Sequence, residues 1–277
     1  MTRLCGRGWD AVAHGCKPLG AKFWGRELPA RGPTGFGLAV TAAFDASALL
    51  VIRTSWAARL AIPPEFFDAG GPHLVQRAEA DAVIGVQLGG AIVVLAPPRP
   101  LAALRALQPG HLMNMAALVG ALHSYRPEVV GMATLSFAQA SETALRLPCA
   151  GAVASEAVGE AEQVLAACTA QERQESGLEE MPAVFRFVAH ARDGAPAALA
   201  GYEIWAGRLA HLGVVTHPRY RRQGFASAAA AAAANAGLNE RLLPQWRCRS
   251  DNLPSHALSE RLGFVTLGRQ LAIRLQT

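Results

Sequence analysis

The stretch of this sequence richest in chemistry runs from Leu209 to Ser227, where an apolar segment passes through His217-Pro218 into Arg221-x-x-Gly224-x-Ala226 and a helix-forming run. Backbone N–H groups at a helix start have no intrahelical partner, so they make an anion site. Gly224 lets an anion approach the backbone, Ala226 avoids a clash one step later, and Arg219, Arg221 and Arg222 add positive charge. The group such a loop suits is a pyrophosphate.

Two residues beside this loop can move a proton. His211 lies on the segment leading into it, and an imidazole with an ordinary pKa of about 6.5 suits proton removal at neutral pH. Glu203, within Gly201-Tyr-Glu-Ile-Trp205, is the competing base, since a carboxylate among apolar neighbours either works or is paired. Cys248 has no base partner in the sequence and reads as a small core residue, while Trp205 and Trp246 suit a core and a pocket wall equally. Cys5, His14 and Cys16 lack a fourth ligand and regular spacing, so no metal site is expected.

Asn252 follows Gly224 by 28 residues and opens Asn252-Leu-Pro-Ser-His-Ala-Leu-Ser-Glu-Arg-Leu-Gly-Phe264. With the loop and the strands before it, this order resembles the GNAT superfamily of acyl-CoA-dependent N-acyltransferases over about residues 155 to 277. The resemblance implies a mixed α/β fold whose sheet splays to admit acyl-CoA. The pyrophosphate is expected on the amides of Arg222, Gln223, Gly224, Phe225, Ala226 and Ser227, with Arg221 a further cofactor-binding residue and the pantetheine along Val214, Val215 and Thr216. Asn252 and Ser255 match family positions that contact CoA, and His211 lies about where the family often carries a Glu base. An amine then attacks the thioester directly.

The sequence departs from the family at Ser259, which stands where many members carry a Tyr that serves as general acid. Tyr202, Tyr220, His256 or water are the substitutes the sequence offers. Acetyl-CoA is the expected acyl donor, longer acyl groups staying open, and the expected acceptor is a small-molecule amine. A non-catalytic acyl-CoA-binding or interaction module and a protein-lysine acetyltransferase are the competing readings.

The elements that must position these residues are read from periodicity. An amphipathic helix is expected from Glu156 to about Arg173, with Val158, Ala161, Leu165 and Cys168 on one stripe. Val184–His190 and Ala197–Trp205 form a hairpin through Arg192–Pro196, and Arg208–Thr216 adds a third strand. Seven consecutive alanines, 228 to 234, put a helix at Phe225–Leu238. A strand at Gln245–Arg249, a helix at Ser255–Leu262 capped through Asp251-Asn252, and a closing strand at Val265–Leu275 complete this half. Earlier, short strands are expected at Ala48–Thr54, Ala57–Ile62, Ala91–Ala96 and Val129–Ser136, with helical patches at Leu101–Leu107 and Met113–His123. The organisation expected is a flexible extension over 1–36, an α/β domain over 37–150 whose alternation permits either a degenerate second copy of the fold or an unrelated cap, and the GNAT domain over 151–277.

The 277 residues are 51% hydrophobic, enough for a sizeable core and unlike disordered or fibrous chains. The net charge of +5 sits almost wholly in the first 35 residues, where six cationic residues meet Asp10 and Glu27, so no nucleic-acid partner is expected. Five scattered cysteines without a C-x-x-C pair point to a reducing compartment, the cytoplasm. Apolar runs fall short of the roughly 20 residues needed to cross a bilayer, so no membrane partner is expected. A monomer or homodimer is the expected state.

Overall fold

The computed structural model describes residues 44–68, 70–138, 152–154 and 158–276. The extension over 1–36, Cys5, His14, Cys16 and Glu156 lie outside the described residues. The chain is mixed α/β and divides into two compact units, one of Met1–Leu49, Trp56–Leu135 and Leu267–Thr277, the other of Leu50–Ser55 and Ser136–Thr266.

Helix α1 (Ala46–Leu60) replaces the two strands expected over Ala48–Ile62. Ala48, Ile52, Trp56 and Leu60 are buried at four-residue spacing, a helical stripe hidden inside a densely apolar run. Asp45 caps the start by accepting from the Ala48 N–H at 2.7 Å, and Ala61 ends the helix in the left-handed region. The first unit then contains β1 (Pro72–Gln76), β2 (Ala82–Leu88), β3 (Ala91–Ala96), α2 (Pro98–Leu104), α3 (Met115–Ala121), β4 (Pro127–Phe137) and β10 (Val265–Leu275), with strand order β1-β3-β2-β10-β4. β1 and β2 were not foreseen; β2 is buried on both faces and carries no alternation to read. β1 runs parallel to β3, and β2 runs antiparallel to both β3 and β10. The core here is aliphatic: Val83, Val94, Leu101, Leu104, Leu118 and Ile273.

The second unit holds the strands β5 (Ala152–Ala154), β6 (Arg186–His190), β7 (Pro196–Trp205), β8 (Leu209–Thr216) and β9 (Leu243–Arg249) and the helices α4 (Val158–Ala167), α5 (Ala170–Ser176), α6 (Phe225–Asn239) and α7 (Leu253–Arg261). The single helix expected from Glu156 to Arg173 is two helices. Thr169 accepts from the Glu172 N–H while Glu172 accepts from the Thr169 N–H, a capping box that starts a new helix after Cys168. β5 to β8 pair antiparallel in sequence order, and β9 joins β8 in parallel.

The two sheet faces are packed with different materials. Against one, Ala161, Val164, Leu165, Cys168, Leu178 and Met181 cover Val188, Leu199 and Val215. Gly213 is required there, because a Cβ on it would strike the carbonyl of Ser176 at the end of α5. Against the other face lies α6, whose Ala229, Ala230, Ala231, Ala233 and Ala234 have no exposure. Small side chains let this helix lie close to the sheet, and a Cβ on Gly237 would approach that of Ala210 to 2.8 Å. No described helix is long and apolar enough to cross a membrane.

Candidate active site

β8 carries the site at both of its ends. Its pairing with β7 continues to Thr216, opposite Ala198, but its parallel pairing with β9 runs only from Leu209↔Leu243 to Leu212↔Trp246. Past Leu212 the two strands part, and Gly213–Thr216 present one backbone edge with no ladder partner in β9. Val214 and Thr216 are half-buried along this edge, while the Val215 side chain turns into the core.

Beyond Thr216, the His217 ring caps a short 3-10 turn at Pro218–Tyr220, its Nδ1 accepting from the Arg219 N–H at 3.2 Å. Arg222 adopts φ 62° and Gly224 φ 91°, so the loop twice enters the left-handed region before α6 begins. Gly224 is the N-cap, and no side chain caps the helix, which leaves the first-turn N–H groups of Phe225, Ala226 and Ser227 for a ligand. A Cβ built on Gly224 meets nothing within 4 Å. Glycine is needed for the backbone angle, and the space above it is open.

Not every predicted side chain points at this space. Arg221 donates to Glu172 at 2.7 Å and to the Thr216 carbonyl at 3.4 Å, and Gln223 donates to the Arg219 carbonyl at 3.2 Å. Burial pushes the Glu172 carboxyl up, but hydrogen bonds from Thr169 and the Arg221 guanidinium outweigh it and hold the group below the usual range. Asn252 is the N-cap of α7 and accepts from the Ser255 N–H at 3.1 Å, while Ser255 Oγ accepts from Trp246 Nε1 at 3.0 Å. Both oxygens accept within the fold, which leaves the Asn252 amide nitrogen and the Ser255 hydroxyl as donors.

At the other end of β8, three strands bring four side chains together. Glu203 of β7 is opposite His211 in register, and Gln245 of β9 is opposite it on the other side. The Trp205 ring stacks on that of His211 with centroids 3.9 Å apart, and its Nε1 donates to Glu203 Oε2 at 2.8 Å. Gln245 Nε2 lies 3.0 Å from His211 Nδ1, although the glutamine has no solvent exposure. Both candidate bases therefore belong to one cluster, beside the last paired rung before the strands part. The sequence reading named His211 and Glu203 as candidate bases and did not name Gln245, a carboxamide in a strand that also carries Arg247 and Arg249.

The substitutes for the absent Tyr are occupied elsewhere. Ser259 is buried and donates to the His256 carbonyl at 2.9 Å. Tyr202 points to the α6 side of the sheet, away from Glu203, where burial and then the Glu240 charge push its phenol up. Tyr220 is buried against Phe225 beside the phosphate loop, its hydroxyl donating to Asp193 at 3.4 Å. His256 Nε2 lies 3.2 Å from the Arg249 carbonyl and 3.6 Å from Cys248 Sγ. With its proton on Nε2 the ring would donate to that carbonyl. Among the described residues, no group of three or more His, Cys, Asp or Glu side chains could hold a metal.

Residues 159–264, from α4 to the Phe264 that precedes β10, match the model of the acetyltransferase (GNAT) family. Residues 159–264 are therefore a GNAT domain. Its class is that of the acyltransferases. No curated protein matches the chain. Among solved structures, a GNAT-family chain from Novosphingobium aromaticivorans is 20% identical, with a TM-score of 0.42 over 55% of this chain and 68% of its own. A GCN5-related N-acetyltransferase from Kribbella flavida is 20% identical, with a TM-score of 0.42 over 58% of this chain and 64% of its own. A GNAT-family acetyltransferase from Colwellia psychrerythraea is 13% identical, with a TM-score of 0.43 over 54% and 57%. The chain thus spans about three fifths of the length of these structures, and at such TM-scores the assignment rests on the family model.

Proposed function

We propose that the protein is an acetyl-CoA-dependent N-acetyltransferase that acetylates a primary amine of a small molecule by direct attack. The observation that carries this reading is the parting of β8 from β9, with an uncapped helix start at one end and a histidine cluster at the other. The open loop at Gly224 and the N–H groups of Phe225–Ser227 fit a pyrophosphate, with Arg222 beside them. The unpaired edge of Gly213–Thr216, roughly 13 Å long at the usual rise per strand residue, suits an extended arm with peptide-like amides.

Acyl-CoA supplies the activated acyl group as a thioester. From a neutral amine the N–C bond forms and the C–S bond breaks, so one proton must leave nitrogen and one must reach sulfur. His211 takes the first at Nε2, and the imidazolium so formed is a competent donor for the second. On this reading the chain needs no acid from α7, where Ser259 is tied to the helix. Glu203, opposite His211, attracts a cationic acceptor to the same point. Five scattered cysteines without a C-x-x-C pair suit a reducing, cytoplasmic setting.

The test is calorimetric titration with acetyl-CoA against dephosphorylated pantetheine, followed by thiol release with a panel of amines. Micromolar binding that needs the nucleotide end, with turnover on a free amine, is the expected result. The buried Ser259 favours a second reading, an acyl-CoA-binding module without turnover; binding with no thiol release on any amine or peptide would select it.

A further inference from the structure

Burying a carboxamide completely disfavours folding unless its groups are hydrogen-bonded, and Gln245 is buried with its amide against the His211 ring. Its chemical consequence follows from proton counting. Neutral imidazole has one N–H and one lone pair, and imidazolium has two N–H groups. When the Gln245 nitrogen meets Nδ1, it can only donate, and the ring's own proton is then on Nε2. When the amide is turned by half a revolution, Oε1 accepts from Nδ1–H, and Nε2 carries the lone pair. Proton uptake at Nε2 requires the second arrangement, since an imidazolium would otherwise set two donors against each other.

We propose that Gln245 is a positioning residue that sets the tautomer of His211, and so decides whether Nε2 donates or accepts a proton. The inference rests on His211 being the base described above. Of the charged groups on the adjoining strands, Glu203 of β7, opposite His211 in register, favours the imidazolium, and Arg247, two residues beyond Gln245 in β9, opposes it. The stacked Trp205 face also favours the imidazolium.

The experiment is the pH dependence of kcat/KM for acetyl-CoA in the full chain and two variants, with 15N shifts of the histidine ring as a second readout. In Gln245→Glu the carboxylate can only accept, so the acid limb should move up by about one pH unit, a ten-fold loss below it. Gln245→Leu removes the selection, so the two ring nitrogens should shift toward a tautomer average, with kcat lowered at least ~10-fold and acetyl-CoA affinity kept. A folded Gln245→Glu with an unmoved acid limb, or a Gln245→Leu with the parental nitrogen shifts, would overturn the proposal. If Gln245→Glu does not fold, the nitrogen shifts of Gln245→Leu decide alone. His211→Ala separates the two claims: full activity there removes the base reading itself, whereas an impaired His211→Ala beside an unmoved Gln245→Glu limb removes only the role of Gln245.

Discussion

The two ends of β8 are built from different materials. At the Thr216 end the site is backbone: left-handed angles at Arg222 and Gly224, an uncapped helix start and an unpaired strand edge. At the His211 end it is side chains, drawn from β7, β8 and β9 and fixed by stacking and hydrogen bonds. A backbone site binds any ligand of the right shape and charge, which suits a common acyl carrier. A side-chain site can position protons, and it changes with single substitutions.

This contrast can be broken at either end. Gly224→Val forces a β-branched residue into a left-handed angle and fills the open space, so acetyl-CoA affinity should fall at least ~100-fold in calorimetry while the fold persists. Unchanged affinity would mean that the loop does not hold the pyrophosphate. His211→Ala should lower kcat by roughly 100-fold with little change in affinity. If both constants move together, the two ends are not separate. Glu203→Gln, which keeps the acceptor for the Trp205 N–H, should cost less than this; a larger loss than in His211→Ala would make Glu203 the base.

A fourth variant probes the packing that holds β8 in place. Ala231→Leu should destabilise by about 1–3 kcal/mol in denaturant melts, because α6 has no room against the sheet. An unchanged midpoint would show that the alanine face is not a tight contact.

The smallest effect concerns the Arg221–Glu172 pair, whose side chains are 46% and 37% exposed. Arg221→Ala should cost well under ~1 kcal/mol at neutral pH. Because the Glu172 carboxyl is held below its ordinary value, its contribution is present above the unfolded carboxylate range and is lost as pH falls through the folded value. The difference between parent and variant should therefore vanish in acid. A difference that grows in acid would mean that the pair is not the cause.

Legibility followed locality. The loop ahead of α6 was readable because Arg221, Gly224 and Ala226 lie in one continuous backbone segment. The hairpin before it and the alanine helix after it were readable for the same reason. The break between α4 and α5 also had a local sign, Thr169-x-x-Glu172, that a search for a single stripe passes over. α1 was misread because nearly every residue from Ala48 to Ile62 is apolar or small, which masks a four-residue period.

The sequence by itself determined the glycine turn ahead of α6 and most strands and helices around it, and it named His211 and Glu203 as candidate bases, since each of these readings depends on neighbours a few residues apart. Only the tertiary structure decided where the strands part and which side chains meet. Gln245 touches His211 across 34 residues of chain, and Arg221 reaches Glu172 across 49. Those contacts arise from the parallel register of β8 with β9 and from helix packing, and no spacing within a linear segment encodes either.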